Sequence, residues 1–335
     1  MMSFVMSDCL ADLSTVGVAR LRLVTMFVVL LGGLISGYVA RSRFGLSESW
    51  AKRIMTAVLV SFNWLIALLV IWRMRLSSQL IWVPIVGVIL MLAITGFSAG
   101  LFYLFEPDRK SRLTLILAGG LSNLGYTGGA FVCYALFGAD GLGIANIYPL
   151  LWVPAVYLIF FPLLKVREIR VEGSSAKLKL SQVLDFRFLA LPAVIVAIVL
   201  NLTDVRMPAF IVRFRVIDIF VYIASSLSFF AIGLRVSLSR LKNYMSLYFL
   251  LGAVKFVLTP AVAFLVVWLL MLTGRNLSDL VQKVIIVLSV TPSAVVMVTI
   301  SNVFDLDAPL ASALWVVNMA TFALIVVPLL FFIFA

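Results

Sequence analysis

The sequence predicts an all-α integral membrane protein: ten transmembrane helices arranged as two inverted five-helix repeats, the fourth and ninth helices broken. Three observations lead there. Of 335 residues, 64% are hydrophobic and 12% charged, with a mean hydropathy of +1.20. A soluble domain carries roughly 25% charged residues and could not hide so much apolar surface, so the excess faces lipid. The apolar residues fall into ten stretches near the ~20 residues that cross a ~30 Å hydrocarbon layer as a helix. Two of these stretches, at matching places in the two halves, are interrupted by helix-breaking residues.

The first segment, 21–40, follows a stretch in which Asp8 and Asp12 stand where a cleavable signal needs a basic start, so the amino terminus is expected to be retained. The second and third occupy 54–72 and 80–105. The fourth, 113–137, contains GGLSNLGYTGGA at 119–130. The fifth (143–164) and the short sixth (187–203) flank KVREIRVEGSSAKLKLSQVLDFR, the most polar connection, where the halves are expected to join. This gives a first repeat at 1–164, a cytoplasmic linker at 165–186 and a second repeat at 187–335. Segments seven to ten are 214–234, 243–272, 282–304 and 310–334, the ninth carrying LSVTPSAV at 288–295.

Basic residues set the expected orientation. The connections after segments one, three, five and seven hold sixteen Lys and Arg, among them Arg41, Arg53, Arg109 and Arg235, against nine on the opposite side. Positive residues concentrate on the cytoplasmic side, so both termini are expected outside the cytoplasm of a plasma (inner) membrane. The same pattern accounts for the net charge of +12 without nucleic acid as a partner.

An odd number of helices per half inverts the second half relative to the first. FGADG at 137–141 and FDLDA at 304–308 lie half a chain apart, each after an interrupted segment, and Leu121-Ser122 matches Leu288-Ser289 at the same offset. The identities are few, but with the hydropathy they favour an inverted repeat.

The interruptions carry the function. Backbone that leaves the helix inside lipid exposes polar groups costing several kcal/mol each, which is tolerated only where protein or a water-filled cavity satisfies them. Gly125, Gly128 and Gly129 permit unwinding, and Asn123 and Thr127 add polar side chains. In the second half Pro292 removes an amide donor, and Ser289, Thr291 and Ser293 are polar. Half-helix amino termini at such breaks present amides and positive dipole ends to an anion. Packing of small residues explains the glycines alone, but not Asn123 or the coincident Pro292.

Lys255, ~13 residues into segment eight, is a functional residue by default, holding a carboxylate or pairing with an acid; snorkelling from a tilted helix is the plainer reading. Asp218 reads as interfacial, and Asn318 either faces a cavity or ties helices together. No carboxylate falls at the middle of segments three, four, eight or nine, which disfavours a sodium/proton exchanger. There is no histidine, and Cys9 and Cys133 form neither a CxxC pair nor a disulfide framework, so no cofactor or metal is expected. An enzyme is not supported, and no GxxxxGK[ST] loop points to ATP-driven transport. The longest connection, ~22 residues, is too short to fold as a sensor's output domain.

The run SNLGYTGGAFVCYALFGADGLGIA resembles the fourth helix of the auxin efflux carrier family, with Asn123, Gly125, Tyr126 and Gly128 at its recurring positions. SGYVARSRFGLS, FAIGLRVS and TPSAVVMVTISNVFDLDAPLASA extend the resemblance along nearly the whole chain. Two positions depart from the family pattern: Ala130 stands for a proline and Val296 for an asparagine. The resemblance implies a fold related to bile acid symporters and sodium/proton antiporters. In it helices one, two, six and seven form a scaffold, while three to five and eight to ten move as a transport unit whose broken helices cross.

It further implies a secondary transporter that moves a small organic carboxylate, auxin-like or malonate-like, by alternating access. The alternative is a sodium-coupled organic anion symporter of the bile acid type. The expected binding residues are Asn123, Gly125, Tyr126, Thr127, Gly128, Thr291, Pro292, Ser293 and Lys255. Coupling to protons or to sodium stays open, and a homodimer through the scaffold helices is an implication of the resemblance alone.

Overall fold

The computed structural model describes residues 2–46, 48–106, 108–155, 190–234, 245–304 and 306–334. The second half of the predicted fifth segment, the 165–186 linker, the start of the sixth segment, residues 235–244 and Asp305 lie outside the described residues.

Apolar residues recurring along uninterrupted stretches dictate helices. They form α1 (Met2–Phe44), α2 (48–73), α3 (Ser78–Phe105), α4 (Arg109–Gly120), α5 (Gly129–Ile147) and the single turn α6 (Trp152–Ala155). The second half supplies α7 (Ala190–Leu202), the short α8 (Ala209–Arg213), α9 (Val216–Gly233), α10 (Met245–Leu272), α11 (Asp279–Ser289), α12 (Val296–Val303) and α13 (Ala308–Phe334). Among the described residues there is no β-strand, and seven helices are long and apolar enough to cross a membrane. Their outer faces carry fully apolar side chains such as Phe332 (88% exposed), Leu104 (79%) and Phe249 (74%), as a surface that meets lipid does. The protein is thus an all-helical integral membrane protein.

The sequence and the structure differ at the join between the predicted fourth and fifth segments. At FGADG two helical stretches meet at a sharp break rather than at a loop of several residues: Gly138, whose φ of 68° and ψ of −151° only glycine adopts cheaply, is non-helical and divides α5 close to the expected boundary. The first helix also begins far earlier than the apolar stretch that predicts it, at Met2.

Two groups of helices pack among themselves. In one, α1 lies on α9, α9 on α2, and α7 on α2. In the other, α3 packs on α4, α10 on α3, α11 on α10, and α13 on both α12 and α4. α5 joins them, touching α1, α2 and α9 on one side and α11 on the other. Small residues set the α1–α9 approach: a Cβ on Gly37 would lie 2.1 Å from the Phe230 carbonyl oxygen, and one on Gly233 would lie 2.3 Å from that of Leu34. Gly37→Ala should therefore force these backbones apart and lower the melting temperature, at a cost of about 1–3 kcal/mol. Gly32→Ala, with nothing within 4 Å, is the matched control.

Side-chain caps close the helices where the sequence supplies them. The Asn201 amide donates to the carbonyls of Ile71, Trp72 and Met74, ending α2 and fastening α7 to it. Asp108 caps α4 by accepting from the Ser111 amide, which holds its carboxyl below the usual carboxylate range. Asp307 caps α13 through Leu310 N and also accepts from Ser111 Oγ at 3.0 Å, tying the start of α13 to the start of α4.

Candidate functional site

Both predicted interruptions are present, and they meet. α4 ends at Gly120 and α5 begins at Gly129; α11 ends at Ser289 and α12 begins at Val296. The intervening segments cross antiparallel, as a two-bonded bridge centred on Ser122 and Ser293. Asn123 N donates to Pro292 O at 2.8 Å, and Ala294 N donates to Leu121 O at 2.9 Å. Each break therefore satisfies part of the other's unwound backbone, which is how non-helical chain survives among apolar helices. Pro292 could accept such a bond but never donate one, and it is used as an acceptor.

The carboxyl end of α4 is satisfied from the opposite half of the chain. Ser293 Oγ donates to Ala118 O at 2.7 Å. The Lys255 ammonium lies 3.4 Å from Gly119 O and 2.6 Å from Ser122 Oγ. Lys255 is fully buried, and among the described residues no carboxylate pairs with it. It thus points into the carbonyl end of a half-helix, which carries partial negative charge.

The first break is folded into a tight ring around Asn123. Its Oδ1 accepts from Thr127 Oγ1 at 3.0 Å, and its Nδ2 donates to Thr127 O at 3.3 Å. Gly128 N bonds Gly125 O, Gly129 N bonds Asn123 O, and Ala130 N bonds Leu124 O. Alanine at 130 supplies that last amide, which a proline would lack. Gly128 is required by space, since a Cβ there would lie 2.3 Å from the backbone oxygen of Asn123, whereas a Cβ on Gly129 would meet the end of a side chain, Leu288 Cδ2, at 2.5 Å. Gly125 is different, being exposed with nothing within 4 Å of a would-be Cβ. The amides of Gly125, Tyr126 and Thr127 have no hydrogen-bond partner among the described residues. They stand just ahead of the amino terminus of α5, where partial positive charge gathers.

The other predicted site residues are committed to structure. Thr291 Oγ1 donates to Leu288 O, capping α11. The buried Tyr126 donates to Asn146 Oδ1 at 3.2 Å, a partner with no signal in the sequence beyond an asparagine in an apolar helix. Ser122 was legible as polar, but its role as the hydroxyl partner of Lys255 comes only with the crossing. Asp218 lies at the start of α9, where its carboxylate accepts from Arg215 Nε and from Tyr134 OH, each at 2.6 Å. It ties α9 to α5. Asn318 is buried, its Nδ2 donating to Leu314 O and its Oδ1 without a partner among the described residues.

A narrow cleft runs beside the crossing, between α3, α10 and the two breaks, lined in part by Gly119, Gly120, Ser122, Thr259 and Ser289. At about 10 Å³ it has room for about one water molecule, so a carboxylate enters only if the helices separate.

Comparison with protein-family models finds no match to this chain, and comparison with curated proteins finds none either.

Proposed function

We propose that the protein is a secondary transporter for a small organic carboxylate anion, working by alternating access on a ten-helix inverted repeat. The observation that supports this best is the crossing of two interrupted segments, from opposite halves of the chain, inside an otherwise apolar helical body. Discontinuous helices at a repeat interface are the arrangement on which carriers build central sites.

In this reading the anion approaches the unpaired amides of Gly125, Tyr126 and Thr127 from the exposed Gly125 side. Asn123 holds the ring of backbone that aims them. Two charge-assisted hydrogen bonds of about 1.5–3 kcal/mol each, about 3–6 kcal/mol together, reach affinities from roughly a few millimolar to tens of micromolar, suited to a carrier that must also release. The helices α1, α2, α7 and α9 serve as the scaffold, and the remainder shift across it. α5 carries the sliding contact, so the Tyr134–Asp218 bond and the aromatic contacts of Phe131 with Tyr222 and Phe229 would break and re-form in each cycle. The resemblance to auxin efflux carriers supplies the substrate class, auxin-like or malonate-like.

Purified protein in proteoliposomes should exchange labelled malonate or indole-3-acetate across the bilayer, saturably and in competition with unlabelled carboxylate. The same ligand should raise the melting temperature of the folded form by mass action. The absence of both exchange and thermal stabilisation across a panel of mono- and dicarboxylates would overturn the carboxylate-transporter reading.

A further inference from the structure

We infer that Lys255 is a built-in monovalent cation for the crossing, filling the oxygen-lined position that a free sodium ion would occupy in an ion-coupled carrier. This rests on the reading of the crossing as a transport site, and it names that site's ion requirement: none.

The surroundings of the ammonium resemble those of a bound cation rather than of an ion pair. Both atoms it contacts are neutral oxygens, the Ser122 hydroxyl and the Gly119 carbonyl at the end of α4. Ser98 Oγ on α3 is buried nearby without a partner among the described residues, so it does not bond the ammonium; it lies against Gly119, 2.2 Å from where a Cβ on that glycine would be. Meanwhile the neighbouring acceptors are spoken for: Ala118 O by Ser293 and Leu121 O by Ala294. Positive charge at this spot is favoured by the half-helix carbonyl end, which compensates in part for burial of an ammonium with no carboxylate beside it.

The backbone of α10 is shaped to deliver it. Lys255 lies in a π-turn, Val254–Leu258, the wider helical turn that recurs at functional positions. Thr259 Oγ1 donates to Val254 O at 2.7 Å, and Pro260 lacks the amide that would otherwise bond the carbonyl of Phe256. The turn therefore rests on a local side chain and a missing donor. Val254 also packs near Gly119, which fixes the register of α10 against the end of α4.

The test is the cation dependence of unfolding of the purified full-length protein, at equal ionic strength in sodium, choline or n-propylammonium chloride. Wild-type protein should melt at the same temperature in all three. Lys255→Ala, which removes a propylammonium's worth of side chain, should melt several degrees higher in n-propylammonium than in choline chloride. Lys255→Met, which refills the space without charge, should lose that response. A sodium-specific rise in wild type overturns the inference, and so does a Lys255→Ala protein indifferent to all three cations. Should Lys255→Ala not fold, the wild-type comparison alone decides. Failure of carboxylate exchange with these cation responses intact would sink the transporter reading and leave the built-in cation standing.

Discussion

Gly128→Ala should abolish carboxylate exchange and lower stability by about 3 kcal/mol, the upper end of what overpacking costs. The reason is the identity of what the new methyl meets. Its nearest atom, 2.3 Å away, is the backbone oxygen of Asn123, and Asn123 is held from both sides. Its amide is bonded to Pro292 O across the crossing, and its carbonyl receives Gly129 N. Relief at Gly128 thus requires either opening the ring at 123–129 or pulling the two breaks apart. Gly129→Ala meets the ends of the Leu288 and Thr291 side chains instead, which can turn aside, and should cost less. Gly125→Ala meets nothing within 4 Å and should leave stability unchanged. The order of melting temperatures, Gly125→Ala above Gly129→Ala above Gly128→Ala, checks the geometry independently of any substrate. A Gly128→Ala protein as stable as wild type would mean that the ring is not closed as described.

This ranking marks where sequence reasoning stops. Glycines and a proline inside membrane-length apolar stretches announce that the helix must break, because their backbone consequences are local. The breaks at 119–130 and 288–295 were legible for that reason. The pairing of Ser122 with Ser293, and of Ser293 Oγ with Ala118 O across 175 residues, depends on how distant helices cross and leaves no local trace. The same limit applies to Lys255: its depth in the segment was readable, its direction was not. Thr291 and Ser293 looked like ligand groups by composition, yet they satisfy carbonyls that breaking the helices had exposed. Gly138 is a boundary of the same local kind: the expected segments four and five divide there, and the chain breaks sharply at one residue instead of making a longer loop.

Asn123→Ala should reduce exchange by about 100-fold while the protein still reaches the membrane. Removing the amide strips Thr127 of two buried bonds, one to its hydroxyl and one to its carbonyl, at about 1–3 kcal/mol for groups left unsatisfied. That loss falls on the segment whose free amides face the anion, so the ring would fluctuate and the donors would no longer converge; about 2.7 kcal/mol corresponds to the 100-fold expected. A direct contact between Asn123 and substrate would give a similar loss, and Thr127→Val separates the two. If Asn123 acts by closing the ring, Thr127→Val weakens exchange by the same route, and the double substitution adds little to either single one. If Asn123 instead binds the anion itself, Thr127→Val is mild and the effects add. Ring closure predicts the first pattern, since both polar groups of the Asn123 side chain are already engaged by Thr127.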